Sequence, residues 1–495
     1  MSAKTPQAPV LVLPERRGIY RGGRWHDPVS GRTAPTLNPS TGEIIADVAV
    51  SSAQDVDAAV ADAQRGFAEW KTVPPQERAR ILRQIATLLR THADELALID
   101  AANGGNPVHE MARDAHVAAA QVDFFAGLVT EMKGASIPMG PDAVNFSVRE
   151  PLGVVARIVP FNHPFMFAAG KSAAPLAAGN AVIVKPPDQA PLSSLRLAEL
   201  VDGLFPAGVF NVLPGDRDTG AALASHRGIA MVAIIGSVPA GRAVMRAASE
   251  TVKPLLLELG GKNALIAYPD AHPDEVAEGA VGGMNFTWCG QSCGSTSRAF
   301  VHRAIYDAVL ERVKVRVAAF KPGPATDPAT TMGAIISAAQ LDRVLGYIES
   351  GREEGARLLY GGNRPSDPAL QRGFFVEPTV FCDVTPSMRI AREEIFGPVL
   401  AILPWSDEAD MLKQVNAVDY GLTCSIWTRD LDTALRTAGN VQAGYVWINE
   451  VGRHFLGAPF GGVKQSGLGR EECLAELLAF TQEKNIHVRL ARRSG

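Results

Sequence analysis

The chain has 495 residues, 48 Lys+Arg against 52 Asp+Glu for a formal charge of −4, and 46% hydrophobic residues. An apolar fraction near half excludes wholesale disorder, and the near-neutral balance leaves no electrostatic footprint for nucleic acid or an anionic membrane. Five cysteines are too few for a disulfide framework; at ~150 residues per domain the length implies about three domain-sized units.

In chain order, residues 1–50 read as extended and turn-rich, with a turn at Asn38 to Gly42. The N-terminal apolar run, Val10 to Leu13, falls short of the roughly 7–15 residues of a secretory signal, so a soluble, cytoplasmic protein is expected. Behind the Ser52 cap, Val56, Ala59, Val60, Ala63, Phe67 and Trp70 recur at helical spacing. A second helix carries Ile81, Ile85, Leu88 and Leu89, with a stop at Asn103–Gly105 reinforced by Pro107, and a third is predicted over Ala118–Met132. Val144, Phe146 and Val148 alternate with polar residues after a Gly140–Asp142 turn, which predicts a hairpin. A lone hairpin is marginal in water, and Ile486, Val488 and Leu490 offer it a C-terminal partner strand. Two readings stand here: ordinary surface strands, or a small sheet that joins subunits.

Over residues 151–260 strands alternate with helices: Val154–Val159, Ala181–Val184, Val209–Leu213 and Met231–Ile235, separated by Ser193–Leu204 and Thr219–His226 and followed by Ala240–Glu250. That rhythm means α/β architecture with a parallel sheet, which binds ligands at the carboxyl ends of its strands. A second α/β unit follows Leu265, and no Gly/Ser-rich linker separates the units.

The chemistry gathers in a few segments. Gly279–Ser297 is uncharged but carries five Gly together with Asn285 and Gln291, which argues against a membrane span of about 20 apolar residues. It holds Cys289 and Cys293. Zinc needs four ligands and no second pair is near, so no metal site is read here. The thiols are either two buried packing groups or one packing group and one nucleophile. Glu258 ends an apolar strand-like run, Leu255–Leu257, before Gly260 and Gly261. It is either salt-bridged or a carboxylate whose burial raises its pKa toward that of a general base. Gly236–Gly241 follows a strand and opens a helix capped by Ser237, a geometry that can hold an anion. A GxGxxG fingerprint is absent. Lys185 and Asp188 lie just past a strand and suit either a ribose or a solvated loop. Asn162, between Pro160 and Pro164, is placed as a fixed amide donor.

Together these segments resemble the aldehyde dehydrogenase superfamily, from Asn38 to Lys484. The matching pieces come in the family order: Pro160–Pro164, Lys185–Asp188, Gly236–Ser237, Leu257–Lys262, Gly290–Cys293, Glu394–Pro398, Asn449 and Pro459–Gly467. The resemblance implies a Rossmann-type NAD-binding domain (residues 1–127 and 152–261), an α/β catalytic domain (262–467) and a small β oligomerisation segment (128–151 and 481–495) that makes a homodimer or homotetramer. It implies Cys293 as nucleophile, Glu258 as hydrolytic base, Asn162 with the Cys293 N–H as oxyanion donors, and Lys171 near the catalytic centre, with an ordinary ion pair as the other reading of that lysine. It implies cofactor contacts from Pro160, Lys185, Asp188, Gly215, Gly236, Ser237, Leu259, Glu394 and Phe396. It implies a pocket from His163, Met166, Gly170, Ser292, Arg453, His454 and Phe460. A free thiol has a pKa of ~8.5, so the site is expected to favour the thiolate. The rival readings are a CoA-acylating relative, which typically lacks the Glu258 base, a non-catalytic member of the fold, and a thiol esterase.

Three departures stand out. Asp188 replaces the usual Glu and keeps the charge that disfavours a 2′-phosphate, so NAD is expected over NADP. Gly105-Asn106-Pro107 replaces a common Gly-Lys-Pro. Gly170 replaces an aromatic found in several members and is expected to widen the tunnel; with Arg453 and His454 this points to an aromatic or carboxylate-bearing aldehyde.

Overall fold

In the computed structural model, which describes residues 10–490, five short buried runs line up as the parallel centre of an eight-stranded sheet. Their spatial order is Phe210–Val212, Ala181–Lys185, Val154–Ile158, Met231–Ile235, Leu255–Glu258. Numbered by sequence this is 3-2-1-4-5, so the winding reverses between Val154–Ile158 and Met231–Ile235. In doubly wound sheets the crevice at that reversal, beyond the carboxyl ends of the strands, takes the ligand. Antiparallel strands Ile19–Arg21 and Arg24–His26 close one edge and Gly467–Leu468 the other.

Helix α1 (Ala53–Trp70) starts on a reciprocal capping box between Ser52 and Asp55, as its spacing predicts. The apolar face of α2 (Pro75–Thr91) includes Ile81 and Ile85. The chain breaks at His92 into α3 (Ala93–Gly104), whose end Gly105 takes φ +83°, a left-handed stop that a Cβ would strain. The predicted third helix starts ten residues early: α4 spans Val108–Gly127. Pro107, read as reinforcing the stop, also opens α4, because a proline lacks only an N–H that a helix start leaves unpaired.

A second, seven-stranded sheet is parallel except for its edge strand Arg357–Tyr360, and includes Ala264–Ala267, Arg298–His302 and Thr423–Trp427. Each sheet is packed on both faces by its own apolar clusters. The expected hairpin forms, and its Ala143–Pro151 strand pairs antiparallel with Thr481–Arg489, placing Ile486 opposite Phe146 and Val488 opposite Val144. Val144 and Val488 are exposed. Residues 1–9 of the N-terminal reading and 491–495 of the oligomerisation segment lie outside the described residues. No helix of the described residues is long and apolar enough to cross a membrane.

Candidate active site

Four of the singled-out segments leave neighbouring strands of the first sheet at their carboxyl ends: Pro160–His163, Lys185, Gly236–Ser237 and Glu258. Glu258 is 5% exposed and neither carboxylate oxygen has a hydrogen-bond partner. Its main chain is fixed instead: the Glu258 carbonyl accepts from Gly236 N–H at 2.9 Å and Leu259 N–H donates to the Ser466 carbonyl at 2.8 Å. Gly461, at φ +154°, makes the room; a Cβ there would lie 2.7 Å from Glu258 Oε1. Burial, then the Glu471 carboxylate, push Glu258 well above the usual carboxylate range, with Lys171 pulling the other way.

The Gly260–Gly261 pair serves close approach. A Cβ on Gly260 would lie 2.0 Å from Glu394 Oε2, and one on Gly261 2.7 Å from the Cys293 carbonyl. Gly261 N–H donates to Glu394 Oε1 at 2.9 Å, and Asn263 Nδ2 donates to the Cys293 carbonyl at 2.6 Å. The turn after Glu258 therefore brings Glu394 and the Cys293 loop together.

Cys293 is half-buried and follows a loop with left-handed residues at Asn285, Cys289 and Gly290. A single 3-10 turn, Phe286–Trp288, lies in that loop and stops short of Cys289, which is buried with its Sγ donating to the Gly333 carbonyl at 3.0 Å. Cys382, Cys424 and Cys473 are free and buried. The expected thiolate is not favoured by the chain alone. Burial, then Glu394 and Glu258, push the Cys293 thiol up to about 12, and only local backbone N–H groups oppose them.

Asn162 is 3% exposed, and no side-chain hydrogen bond engages its amide among the described residues. Its carbonyl accepts from Asn106 Nδ2 at 2.7 Å. This accounts for the Asn of Gly105-Asn106-Pro107: a short buried amide reaches the main chain that carries Asn162. Sequence reasoning missed it, although the departure itself marked the position.

Lys171 sits in the ion pair that was its other reading. Its Nζ lies 2.9 Å from Glu471 and 3.3 Å from Glu472. Arg157, fully buried, also pairs with Glu471. Desolvation is outweighed by these carboxylates, so Lys171 stays protonated and Glu472 is lowered to about 2.

The cofactor candidates divide. Lys185 is buried with Nζ donating to the Pro186 carbonyl at 3.0 Å, and Asp188 and Asp216 are the charges acting on it. Asp188 and Gly215 line one groove with Pro214 and Asp216. Ser237 is exposed and caps the helix Val238–Ser249, accepting from Ala240 N–H. Leu259 packs into the space left by Gly241 in that helix. Phe396 meets Phe161 edge-on at 5.7 Å, which ties the Glu394 loop to the Asn162 loop.

On the substrate side, α5 (Pro164–Gly170) carries Met166 and Gly170. The expected widening at Gly170 does not occur, because Gln121 of α4 occupies the space: a Cβ on Gly170 would lie 2.0 Å from Gln121 Oε1. Arg453 is exposed, 3.9 Å from Glu450 and over the Phe455 ring, so it supplies no buried cation. His454 lies 3.1 Å from Glu472 and 4.4 Å ring to ring from Phe460. Ser292 is half-buried beside Cys293.

A half-buried thiol under the influence of a buried, unpaired carboxylate at the carboxyl end of a doubly wound sheet is the chemistry of an enzyme rather than of a binding module. The chain belongs to the aldehyde dehydrogenase family, whose sequence model matches residues 25–486. It is an aldehyde dehydrogenase, and aldehyde oxidation is the activity that membership carries. It is 52% identical to the aldehyde dehydrogenase TropH of Talaromyces stipitatus over 97% of this chain and 94% of that one. Among solved structures it resembles PnpE of a Pseudomonas species in complex with nicotinamide adenine dinucleotide (38% identity, 97% of this chain and 98% of that one, TM-score 0.94). It also resembles the indole-3-acetaldehyde dehydrogenase AldA of Pseudomonas syringae, a mutant in complex with NAD+ and IAA (35% identity, 96% and 97%, TM-score 0.92).

Proposed function

We propose that the chain oxidises an aldehyde to its carboxylic acid with NAD, through an acyl group carried on Cys293. The observation that carries this is Glu258: a buried carboxylate without a partner, fixed by its main chain and acting electrostatically on Cys293. A purely structural glutamate would be paired, as Glu471 is. Because the Cys293 thiol is neutral near pH 7, the attack needs a base. Glu258 takes the thiol proton as Sγ bonds to the aldehyde carbon. The Asn162 amide and the Cys293 N–H hold the resulting oxyanion. NAD, when bound, supplies the hydride acceptor and the positive charge that the site lacks. Once Glu258 has released that first proton to solvent it takes another from the water that attacks the Cys293 thioester and returns it to the sulfur, so the acid leaves as the thiol is restored.

The residues present fit that cofactor. Lys185 offers an amine, the start of the helix Val238–Ser249 offers anion-binding N–H groups around Ser237, and Glu394 offers a carboxylate to hydroxyls. Pro160, Gly215, Gly236, Leu259 and Phe396 shape the rim. Two carboxylates, Asp188 and Asp216, act on Lys185. They suit a free 2′-hydroxyl and repel a 2′-phosphate, which supports NAD over NADP. Lys171 acts as a positioning residue, holding Glu471 and Glu472 beside Glu258.

We assign the two large sheets to NAD-binding and catalytic domains with the boundaries given above. The exposed Val144 and Val488 on the small sheet support its use in a homodimer or homotetramer. Five free thiols suit a reducing cytoplasm. The test is NADH formation over an aldehyde panel. Cys293→Ala abolishes it; Glu258→Gln, which removes the base of both the attack and the hydrolysis, slows turnover ~10²–10⁴-fold without a burst of NADH. Acyl-CoA in place of free acid as the product would overturn the hydrolytic reading.

A further inference from the structure

Helices α4 and α5 lie side by side with a constant offset. Asp114 meets His163 at one end and Gln121 meets Gly170 at the other, each pair 49 residues apart in sequence. Asp114 and Gln121 are seven residues apart on α4, about 10 Å along its axis. This seam begins beside Asn162 and beside the Cys293 loop, because the His163 ring meets the Trp288 ring edge-on at 4.7 Å. Phe167 flanks His163 at 5.4 Å. Phe124, further along α4, approaches Gly457 of the loop that carries His454.

The seam carries polar atoms that the fold does not use. His163 Nδ1 lies 2.6 Å from Asp114 Oδ2, which places a proton on Nδ1 and leaves Nε2 without a partner; burial is outweighed by Asp114, with Asp100 and Glu110, so the ring's pKa is raised and Nε2 can donate as well as accept. Gln121 is 2% exposed, and its Oε1 is buried with no donor. Trp288 Nε1 is buried with no acceptor. Leaving such groups unmade is costly, so a structural seam would be apolar or self-satisfied. Gln121 Oε1 wants a proton, Trp288 Nε1 wants a lone pair, and His163 Nε2 takes either part. A hydroxyl supplies both. A carboxylate supplies only acceptors, and it would face the negative charges of Asp100, Glu110 and Asp114 that act on His163.

We propose that the α4–α5 seam recognises a hydroxyl group on an aromatic aldehyde, with Gln121, Trp288 and the Asp114-oriented His163 as its specificity-determining residues. This rests on the oxidation proposed above. It replaces the broader aromatic-or-acidic expectation, since Arg453 points away from the site.

The experiment compares kcat/KM for 2-, 3- and 4-hydroxybenzaldehyde with the matched methoxybenzaldehydes, benzaldehyde and 4-carboxybenzaldehyde. One hydroxy isomer is expected to exceed its methoxy partner and benzaldehyde by roughly 10- to 100-fold. That ratio is expected to collapse in Gln121→Leu and in Asp114→Asn, mainly through KM, while the melting temperature with bound NAD reports that each variant is folded. Equal efficiencies for hydroxy and methoxy partners in the unmodified enzyme, or preference for the carboxy compound, overturn the proposal and leave the oxidation standing. No NADH from any aldehyde overturns the oxidation; calorimetric binding of hydroxy against methoxy compounds then reads the seam directly, and equal affinities overturn it.

Discussion

Two buried polar regions flank Cys293, and the fold finishes them differently. Behind Glu258, charge meets counter-charge: Arg157 and Lys171 against Glu471, and Lys171 again against Glu472. Arg157 Nε and Nη1 and Glu476 Oε1 lack hydrogen-bond partners in that cluster too, but they lie among opposite charges; along the α4–α5 seam, and at Glu258 and Asn162 themselves, buried polar atoms are left open with no ion pair of their own. The closed region holds geometry. The open atoms are where a substrate or water completes the hydrogen bonds. Variants that open the closed region should therefore cost stability, and variants at the open atoms should cost turnover.

The largest expected effect is Lys171→Met. It leaves Glu471 and Glu472 with less counter-charge in a buried setting, and breaking such a pair costs roughly 3–5 kcal/mol. Urea unfolding should show a much lower midpoint. Glu258→Gln is the matched control: it removes an unpaired carboxylate and should not lower the midpoint at pH 7. If the two variants unfold alike, the distinction between closed and open regions fails.

Next is Asn162→Ala, which removes a preorganised donor and should raise the barrier by ~2.7–4 kcal/mol, seen in kcat with the fold intact. The pH dependence of Glu258 follows in size. Its folded pKa is raised above the unfolded value of about 4.3. The folded state therefore holds a proton that the unfolded state has released, and stability from this group falls as pH rises from the unfolded value to the folded one. Catalysis runs the opposite way, since only the deprotonated form is a base. Steady-state turnover should rise with pH through the raised pKa, and Glu258→Gln should flatten both slopes.

The sequence made Cys293, Glu258 and Asn162 legible and hid both the charge cluster behind Glu258 and the α4–α5 seam. Cys293 and Glu258 sit in short runs whose residue types leave two readings each, and the order of the family-like motifs along the chain chose between them. The strand-helix rhythm of 151–260 announced a parallel sheet, but the 3-2-1-4-5 order depends on contacts between distant segments. Gly170 misled for a physical reason: the space freed by a missing side chain is filled from another helix, and Gln121 is 49 residues away. The signal that was there is on α4. Met111, Ala115, Ala118, Val122 and Phe125 mark its buried face, and Asp114 and Gln121 fall on the same face. Two polar residues on an apolar stripe ask for partners, yet helical periodicity alone does not say whether those partners are protein or ligand. Pro107 posed the same difficulty at a boundary, since a proline can follow one helix and open the next.

The smallest expected effect is also the most discriminating, because it tests a contact between the two kinds of region. Asn106 Nδ2 donates to the Asn162 carbonyl, and Asn106 touches neither Cys293 nor Glu258 by any hydrogen bond in the structure. Asn106→Ala should leave the melting temperature nearly unchanged, because a single neutral hydrogen bond contributes only about 0.5–1.5 kcal/mol. If the bond sets where the Asn162 amide points, the same amount appears in the barrier, as a fall of several-fold in kcat with little change in KM. Asn106→Asp should not rescue it, since a carboxylate offers no proton to the carbonyl. Combined with Asn162→Ala, the Asn106 effect on kcat should vanish, because there is then no amide left to aim. An Asn106 effect that persists in the double variant would place this residue among the scaffold of the fold and outside the oxyanion site.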